Sequence, residues 1–332
     1  MSGTMKTRSP AVYLDQHEDD LLALLRDLVG WDTTNPPGTH YDEITRRLVD
    51  ELVGVGLKAK RLPISKAALR AALPEDQWAY PRFNVLGGRK VKGEKRTLHF
   101  NAHYDVVPVS GKWRHDNAFS GAVDRGWIYG RGTADMKGSI AALVLALRAL
   151  QATGVDPLMN LEVSFTADEE TDSLLGAGWF VENAPIKPDY AVVMEGGEGE
   201  SICCGHNGVT WLEVVVHGKA AHGSQPEMGV NALDKMSALV LALEDYKTQL
   251  RARTFTAQDG TVMRPTINVG GEFSAGPGGK INTVPAEARF TIDRRGDGGG
   301  GERVAWGVEA GGSGDSRLPD FDQQDFGESR VF

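Results

Sequence analysis

The sequence has little cysteine. Among 332 residues there are two, Cys203 and Cys204, and they are adjacent. Neighbouring cysteines build no disulfide framework and fit no C-x-x-C pattern. The expected compartment is therefore the reducing cytoplasm. The opening "MSGTMKTRSP" lacks an apolar stretch of the kind a signal peptide carries. Long hydrophobic runs are missing too. The longest, "IAALVLALRAL" at 140–150, is interrupted by Arg148. A membrane span needs about 20 apolar residues, so this run is expected to be a buried helix and no membrane partner is expected. Positive charge is also in short supply. Lys and Arg number 36 against 45 Asp and Glu, a net charge of -9, so nucleic acid is not an expected partner. Internal repeats are absent.

What is present suits two domains, which cluster near ~100–150 residues each. Hydrophobic residues make up 41% and charged residues 24%, both ordinary for a globular protein. "DDLLALLRDLVG" places Leu21, Leu24, Leu25 and Leu28 on one helical face, and "DEITRRLVDELVGVG" does the same with Ile44, Leu48 and Leu52. Between them "TTNPPGT" reads as a loop. Short apolar runs at 97–102, 160–165 and 190–194 read as strands, and the helix at 140–150 lies between the first two. That alternation argues an α/β sheet with parallel pairs. After Gly205 the grain changes. Strands are expected at 210–218, 265–271 and 286–294 and a long helix at 231–250, forming part of a smaller α+β domain. From Gly296 to Phe332, ten of 37 residues are glycine; no apolar period survives there, and disorder is expected. The expected organisation is thus 1–205, 206–295 and a tail, 296–332.

The chemistry gathers where strands end. The first strand runs into His103 and Asp105, the second into Asp168, Glu169 and Glu170, and the third into Glu195. Asp135 lies in "GWIYGRGTADMKG", the connector before the central helix. Ligands of open α/β sheets bind beyond the carboxyl ends of the strands. If these strands are parallel neighbours, one histidine and several carboxylates converge. Such a set suits zinc, or a similar divalent ion such as cobalt or manganese. Asp105, two positions after His103 in an extended segment, shares its face and can accept the second ring N–H. Each motif alone has a blander reading: a solvated acidic turn for "DEE", a chance pairing for "HxD". A histidine such as His99 inside an apolar strand is usually structural. "GRGTADMKG" also falls short of a dinucleotide fingerprint, since Asp135 stands where the third glycine belongs.

The ordered string "NAHYDVVP", "GWIYGRGTADMKG", "FTADEET", "MEGG", "GKAAHGSQPEMGVNAL" and "NTVPAEARFTIDRR" resembles the zinc-dependent amidohydrolases and peptidases that include succinyl-diaminopimelate desuccinylase, acetylornithine deacetylase, aminoacylase and carboxypeptidase G. The resemblance covers roughly residues 21–295. It implies an α/β catalytic domain with a mixed, largely parallel sheet flanked by helices, and an inserted smaller α+β lid and dimerisation domain. It further implies that His103 and Glu195 bind one metal, that Asp135 bridges two, that Glu170 binds the second, and that Glu169 is the general base. Asp105 would orient His103, and the Asp135–Met136 peptide would be cis. His222 would stabilise the oxyanion across a homodimer, with Asn282 and Arg295, or the neighbouring Arg294, gripping a substrate carboxylate. For Asp168 the resemblance offers no role beyond hydrogen bonding at the turn. The substrate implied is an N-acyl amino acid or small peptide, and "TWLEVVVHG" is expected to offer an exposed edge for pairing between subunits.

The resemblance stops at "TIDRR", and no histidine follows His222. The family's returning segment, with its last histidine ligand, is expected to be missing through a frame change or truncation, leaving both domains incomplete. One tightly bound Zn2+ is then expected instead of the family's two, with Co2+ as a substitute. The alternative function is a catalytically impaired remnant that acts at most as a binding module.

Overall fold

The computed structural model describes residues 9–115, 117–196, 208–256, 260–276, 279–296 and 303–309, the last by backbone alone. The chain divides into two compact units between residues 202 and 203.

The first unit begins with α1 (Pro10–Asp15), α2 (Glu18–Gly30) and α3 (Tyr41–Gly54), followed by β1 (Lys58–Pro63), α4 (Lys66–Ala72), β2 (Phe83–Arg89) and β3 (Thr97–His103). A small ribbon, β4 (Ala122–Asp124) with β5 (Trp127–Tyr129), precedes α5 (Gly138–Thr153), β6 (Asn160–Thr166), α6 (Trp179–Asn183) and β7 (Tyr190–Val193). The apolar positions read from the sequence face inward: Leu24, Leu25 and Leu28 of α2 and Ile44, Leu48 and Leu52 of α3 are buried. Three acids in the first turn of α2, Glu18, Asp19 and Asp20, suit its positive end. Helix α5 is buried nearly all round and stops at Gly154 in the left-handed region. Arg148, the break in its apolar run, pairs with buried Glu51 of α3.

The sheet order is β1-β2-β6-β3-β7. It is mixed, as expected, but evenly so. β6–β3 and β3–β7 are parallel, while β1–β2 and β2–β6 are antiparallel. The antiparallel half escaped the sequence reading because "KAKRLP" is charged and "FNVLGGR" carries two glycines, both weak strand signals. β5 pairs only with β4, so "GRG" follows a ribbon and not a strand of the parallel sheet.

The second unit contains β8 (Gly208–His217), β9 (Ala221–His222), α7 (Ala232–Ala252), β10 (Phe255–Thr256), β11 (Val262–Met263), β12 (Thr266–Ala275), β13 (Thr283–Val284), β14 (Glu287–Gly296) and β15 (Arg303–Glu309). Asn231 caps α7 by accepting from Leu233 N at 2.9 Å. Val214, Val216, Met236, Leu243, Phe290 and Ile292 pack between α7 and the sheet. The sheet order β12-β14-β8-β15 corrects two expectations. β8 is an interior strand, paired on both sides, so it offers no free edge. The segment 296–332 is not wholly irregular, because 303–309 lies parallel to β8. In "RVAWGVE" Val304, Trp306 and Val308 alternate, a strand period that the surrounding glycines mask. The rest of that segment, 297–302 and 310–332, lies outside the described residues.

Phe165 lies in β6 and is 0% exposed. Phe165→Ala is expected to destabilise the first unit by ~3–5 kcal/mol. Leu158→Ala, at a side chain that is 87% exposed, should stay within ~0.5 kcal/mol. Urea unfolding of both variants checks the contrast.

Candidate active site

Because β6, β3 and β7 are parallel neighbours, the residues after them emerge at one end of the sheet. His103 closes β3, Glu169 and Glu170 follow β6, and Glu195 follows β7. Asp135 arrives from the turn before α5, and its peptide bond to Met136 is cis. His103 Nε2 lies 3.0 Å from Asp135 Oδ1, 3.7 Å from Glu195 Oε2 and 3.8 Å from Glu169 Oε2. On the other side of the ring, Nδ1 lies 3.3 Å from Asp105 Oδ1 and 3.1 Å from the Asp105 carbonyl. Ligand atoms of His103, Asp135 and Glu170 all fall within 4.8 Å of one another.

Five carboxylates thus crowd one imidazole, and their proton affinities show it. Burial pushes the Glu170 carboxyl up to about 7, with Asp135, Asp105 and Glu169 adding to the push. Burial likewise raises Glu169, helped by Glu195, Asp105 and Asp135 and opposed by His103. Burial disfavours an imidazolium at His103, but hydrogen bonds to Asp105, Asp135 and Glu195 prevail and lift it to about 12. The hydrogen bond from His103 draws Asp135 down. This surplus of negative charge calls for a cation. One imidazole with converging carboxylates is a donor set that a zinc-like dication fits.

Asp105 and Asp168, together with residues that the sequence reading passed over, build the support. Asp105 is fully buried. It accepts the peptide N–H of Glu169 at 3.2 Å and of Glu170 at 3.1 Å. Asp168 turns away from the cluster: Arg82 Nε donates to both its oxygens, at 2.9 and 2.8 Å, and Tyr41 donates at 3.1 Å. Arg82 therefore neutralises the third acid of "DEE". Burial still pushes the Asp168 carboxyl up, against the pull of Arg82. Asn35, in the loop "TTNPPGT", donates to Asp168 at 3.0 Å. Lys137, fully buried, donates to the carbonyls of Leu28 at 3.0 Å and Trp31 at 2.8 Å, tying the Asp135 turn to the end of α2. Burial lowers its ammonium to about 7. Gly132 (φ +85) opens that turn, and a Cβ there would stand 2.7 Å from Val106 Cγ1. A polar Asn between two Thr and a Pro was the one visible signal; Arg82 and Lys137 gave none, because their partners are distant in the chain.

In the second unit, His222 and Asn282 come together. Thr283 pairs with His222, and Gly223 N donates to the Asn282 carbonyl at 2.7 Å. His222 is exposed, with Nδ1 2.7 Å from Ser224 Oγ. Arg295 is not brought to them. It stands near the far end of β14, about 27 Å along the strand from Glu287 at ~3.4 Å per residue. Its guanidinium is held by Asp293 at 2.8 and 3.0 Å. Arg294 turns back toward the Thr266 carbonyl at 3.5 Å.

Residues 99–293 match the Peptidase family M20/M25/M40, more than half of the chain. The chain belongs to this family. Acetylornithine deacetylase from Aliivibrio salmonicida is 37% identical over 172 residues, 51% of this chain and 43% of that protein, so this match spans under half the relative's length. Acetylornithine deacetylase from Pasteurella multocida is 28% identical over 279 residues, 82% of this chain and 67% of the relative. The crystal structure of an M20 family metallo-carboxypeptidase from Sulfolobus solfataricus shares the fold, with a TM-score of 0.60 at 20% identity, over 84% of this chain and 71% of that one. No helix among the described residues is long and apolar enough to cross a membrane.

The site makes a pH prediction for this M20 chain in EDTA. Folding raises the proton affinity of both Glu170 and His103, so the folded state binds more protons and the stability they contribute falls as pH rises. Glu170 acts from its unfolded value of ~4.3 up to about 7, and His103 from ~6.5 up to about 12. The melting temperature should fall from pH 5 to pH 7, and less steeply in His103→Gln; above pH 7 the lowered ammonium of Lys137 acts in the opposite sense. Zn2+ added at pH 8 should release a proton, seen as a buffer-dependent heat in titration calorimetry.

Proposed function

We propose that this chain is a metal-dependent hydrolase that cleaves the amide bond of an N-acyl amino acid or a small peptide. The observation that carries this reading is the convergence of His103, Asp135 and Glu170, with Glu169 beside them. His103, Asp135 and Glu195 would hold one divalent cation, and Glu170 with Asp135 would hold a second more weakly. Zinc suits the donors, and cobalt can replace it. Bound there, such cations lower the pKa of water and polarise a carbonyl. Glu169 takes the proton from the attacking water and later gives it to the leaving amine. Burial raises its carboxyl, the direction that strengthens a general base, and its side chain, 46% exposed, is open to water. Asp105 fixes the tautomer and orientation of His103.

The deacetylases among the relatives favour an N-acyl amino acid as substrate. His222 then donates to the oxyanion from the second unit of a partner copy, and Asn282 beside it meets the substrate. Arg295 would serve only after leaving Asp293. Since β8 is interior, a homodimer forms through another surface of the second unit.

A screen of N-acetyl and N-succinyl amino acids with added zinc or cobalt tests the reading. Glu169→Gln is expected to lower turnover ~10²–10⁴-fold and to leave metal binding intact; equal turnover in an active, metal-loaded sample would remove Glu169 from the base's role. Among the described residues His103 is the one histidine of the cluster. Metal analysis of purified protein should therefore give about one tightly bound zinc per chain.

A further inference from the structure

Four chain segments far apart in sequence meet behind the "DEE" turn. Asp168, 2% exposed, holds the left-handed conformation φ 56, ψ 28, which is uncommon outside glycine. It carries the Arg82 guanidinium on both oxygens. The other Arg82 donors reach the Tyr80 carbonyl at 2.8 Å, Gln77 Oε1 at 3.3 Å and Asn35 Oδ1 at 3.4 Å. Asn35 Nδ2 lies 3.0 Å from Asp168, 2.8 Å from Thr171 Oγ1 and 3.4 Å from Asp105 Oδ2. Asp105 in turn receives the peptide N–H groups of Glu169 and Glu170. Asn35 is itself fixed by a parallel bridge between Thr34 and Val106 and by its N–H on the Val106 carbonyl at 2.9 Å. The loop wraps the guanidinium so closely that a Cβ at Gly38 (φ +94) would stand 2.6 Å from Arg82 Cζ.

We propose that Arg82, Asn35 and Asp168 form a positioning relay that sets where Glu169 and Glu170 stand. Arg82 pins Asp168, Asn35 ties Asp168 and Thr171 to Asp105, and Asp105 grips the backbone of both glutamates. The relay fixes the turn at both ends, Asp168 and Thr171, while leaving the two glutamate side chains free to face the cation cluster. The consequence for catalysis rests on the roles proposed above for those glutamates; the consequence for the turn does not.

The test uses the full chain and two variants. The paired variant Arg82→Met/Asp168→Leu removes both buried charges and orphans neither. Arg82→Lys keeps the charge and loses the planar fork. In both, amide hydrogen exchange at 167–173 should quicken ~10-fold or more in the metal-free protein, while peptides from α5 keep their protection. Cobalt titration should show an altered visible spectrum and ~10-fold weaker binding, and kcat should fall with KM little changed. Exchange at 167–173 equal to that of the parent would overturn the relay, as would an unchanged cobalt spectrum and affinity. A parent that binds no cobalt and hydrolyses nothing would instead overturn the proposed function, and the exchange comparison would still decide the relay. Should the paired variant not fold, Arg82→Lys is read against the same outcomes.

Discussion

A fully buried carboxylate is the constraint on which the site depends. Asp105 is closed off from water between the end of β3, the first loop and the turn after β6. A carboxylate so placed must have partners, because the interior offers no water to replace them. Its partners are the imidazole of His103, two peptide N–H groups and the Asn35 amide. Satisfying that one group fixes the ring of His103 and the backbone of Glu169 and Glu170 together. The histidine and the glutamates come from strands far apart in the chain, yet they share one anchor.

Around this anchor, charge is sorted by depth. Two cations, Arg82 and Lys137, are buried behind the turns. Arg82 meets its carboxylate partner Asp168, and Lys137 meets carbonyls at the end of α2. The carboxylates in front, Asp135, Glu169 and Glu195, remain about half exposed and have no Lys or Arg partner among the described ion pairs. The interior cations stabilise the scaffold, while the front keeps a negative charge that a dication can meet. That division gives the three acids of "DEE" different fates, although they are consecutive in sequence.

The parallel core of the sheet makes the convergence work. Parallel strands send their carboxyl ends to the same side, and β6, β3 and β7 are adjacent. The antiparallel strands β1 and β2 extend the sheet away from the site. β2 still contributes, because Arg82 immediately precedes it and Asn84 within it accepts from Ala167 N at 3.0 Å, bracing the end of β6. In the second unit the same physics of pairing decides differently. The sequence of β8 suggests an exposed edge, but β14 and β15 take both of its sides.

By itself the sequence determined the elements whose signal is local. Apolar periods gave α2, α3, α5 and α7 and strands β3, β6 and β7 to within a few residues, and polar residues at the strand ends marked His103, Glu169, Glu170 and Glu195, with Asp135 in the connector before α5, as a set. Period and position survive in one dimension, so they can be read there. Tertiary structure alone decided the rest. It chose the antiparallel half of the sheet, the interior place of β8 and the pairing of 303–309. It placed His222 beside Asn282 and held Arg295 apart on Asp293. It also assigned Asp168 to Arg82, a partner 86 residues away. A long-range ion pair leaves no periodic trace in either segment, since the geometry and the low-dielectric surroundings that strengthen its attraction exist only once the chain has folded.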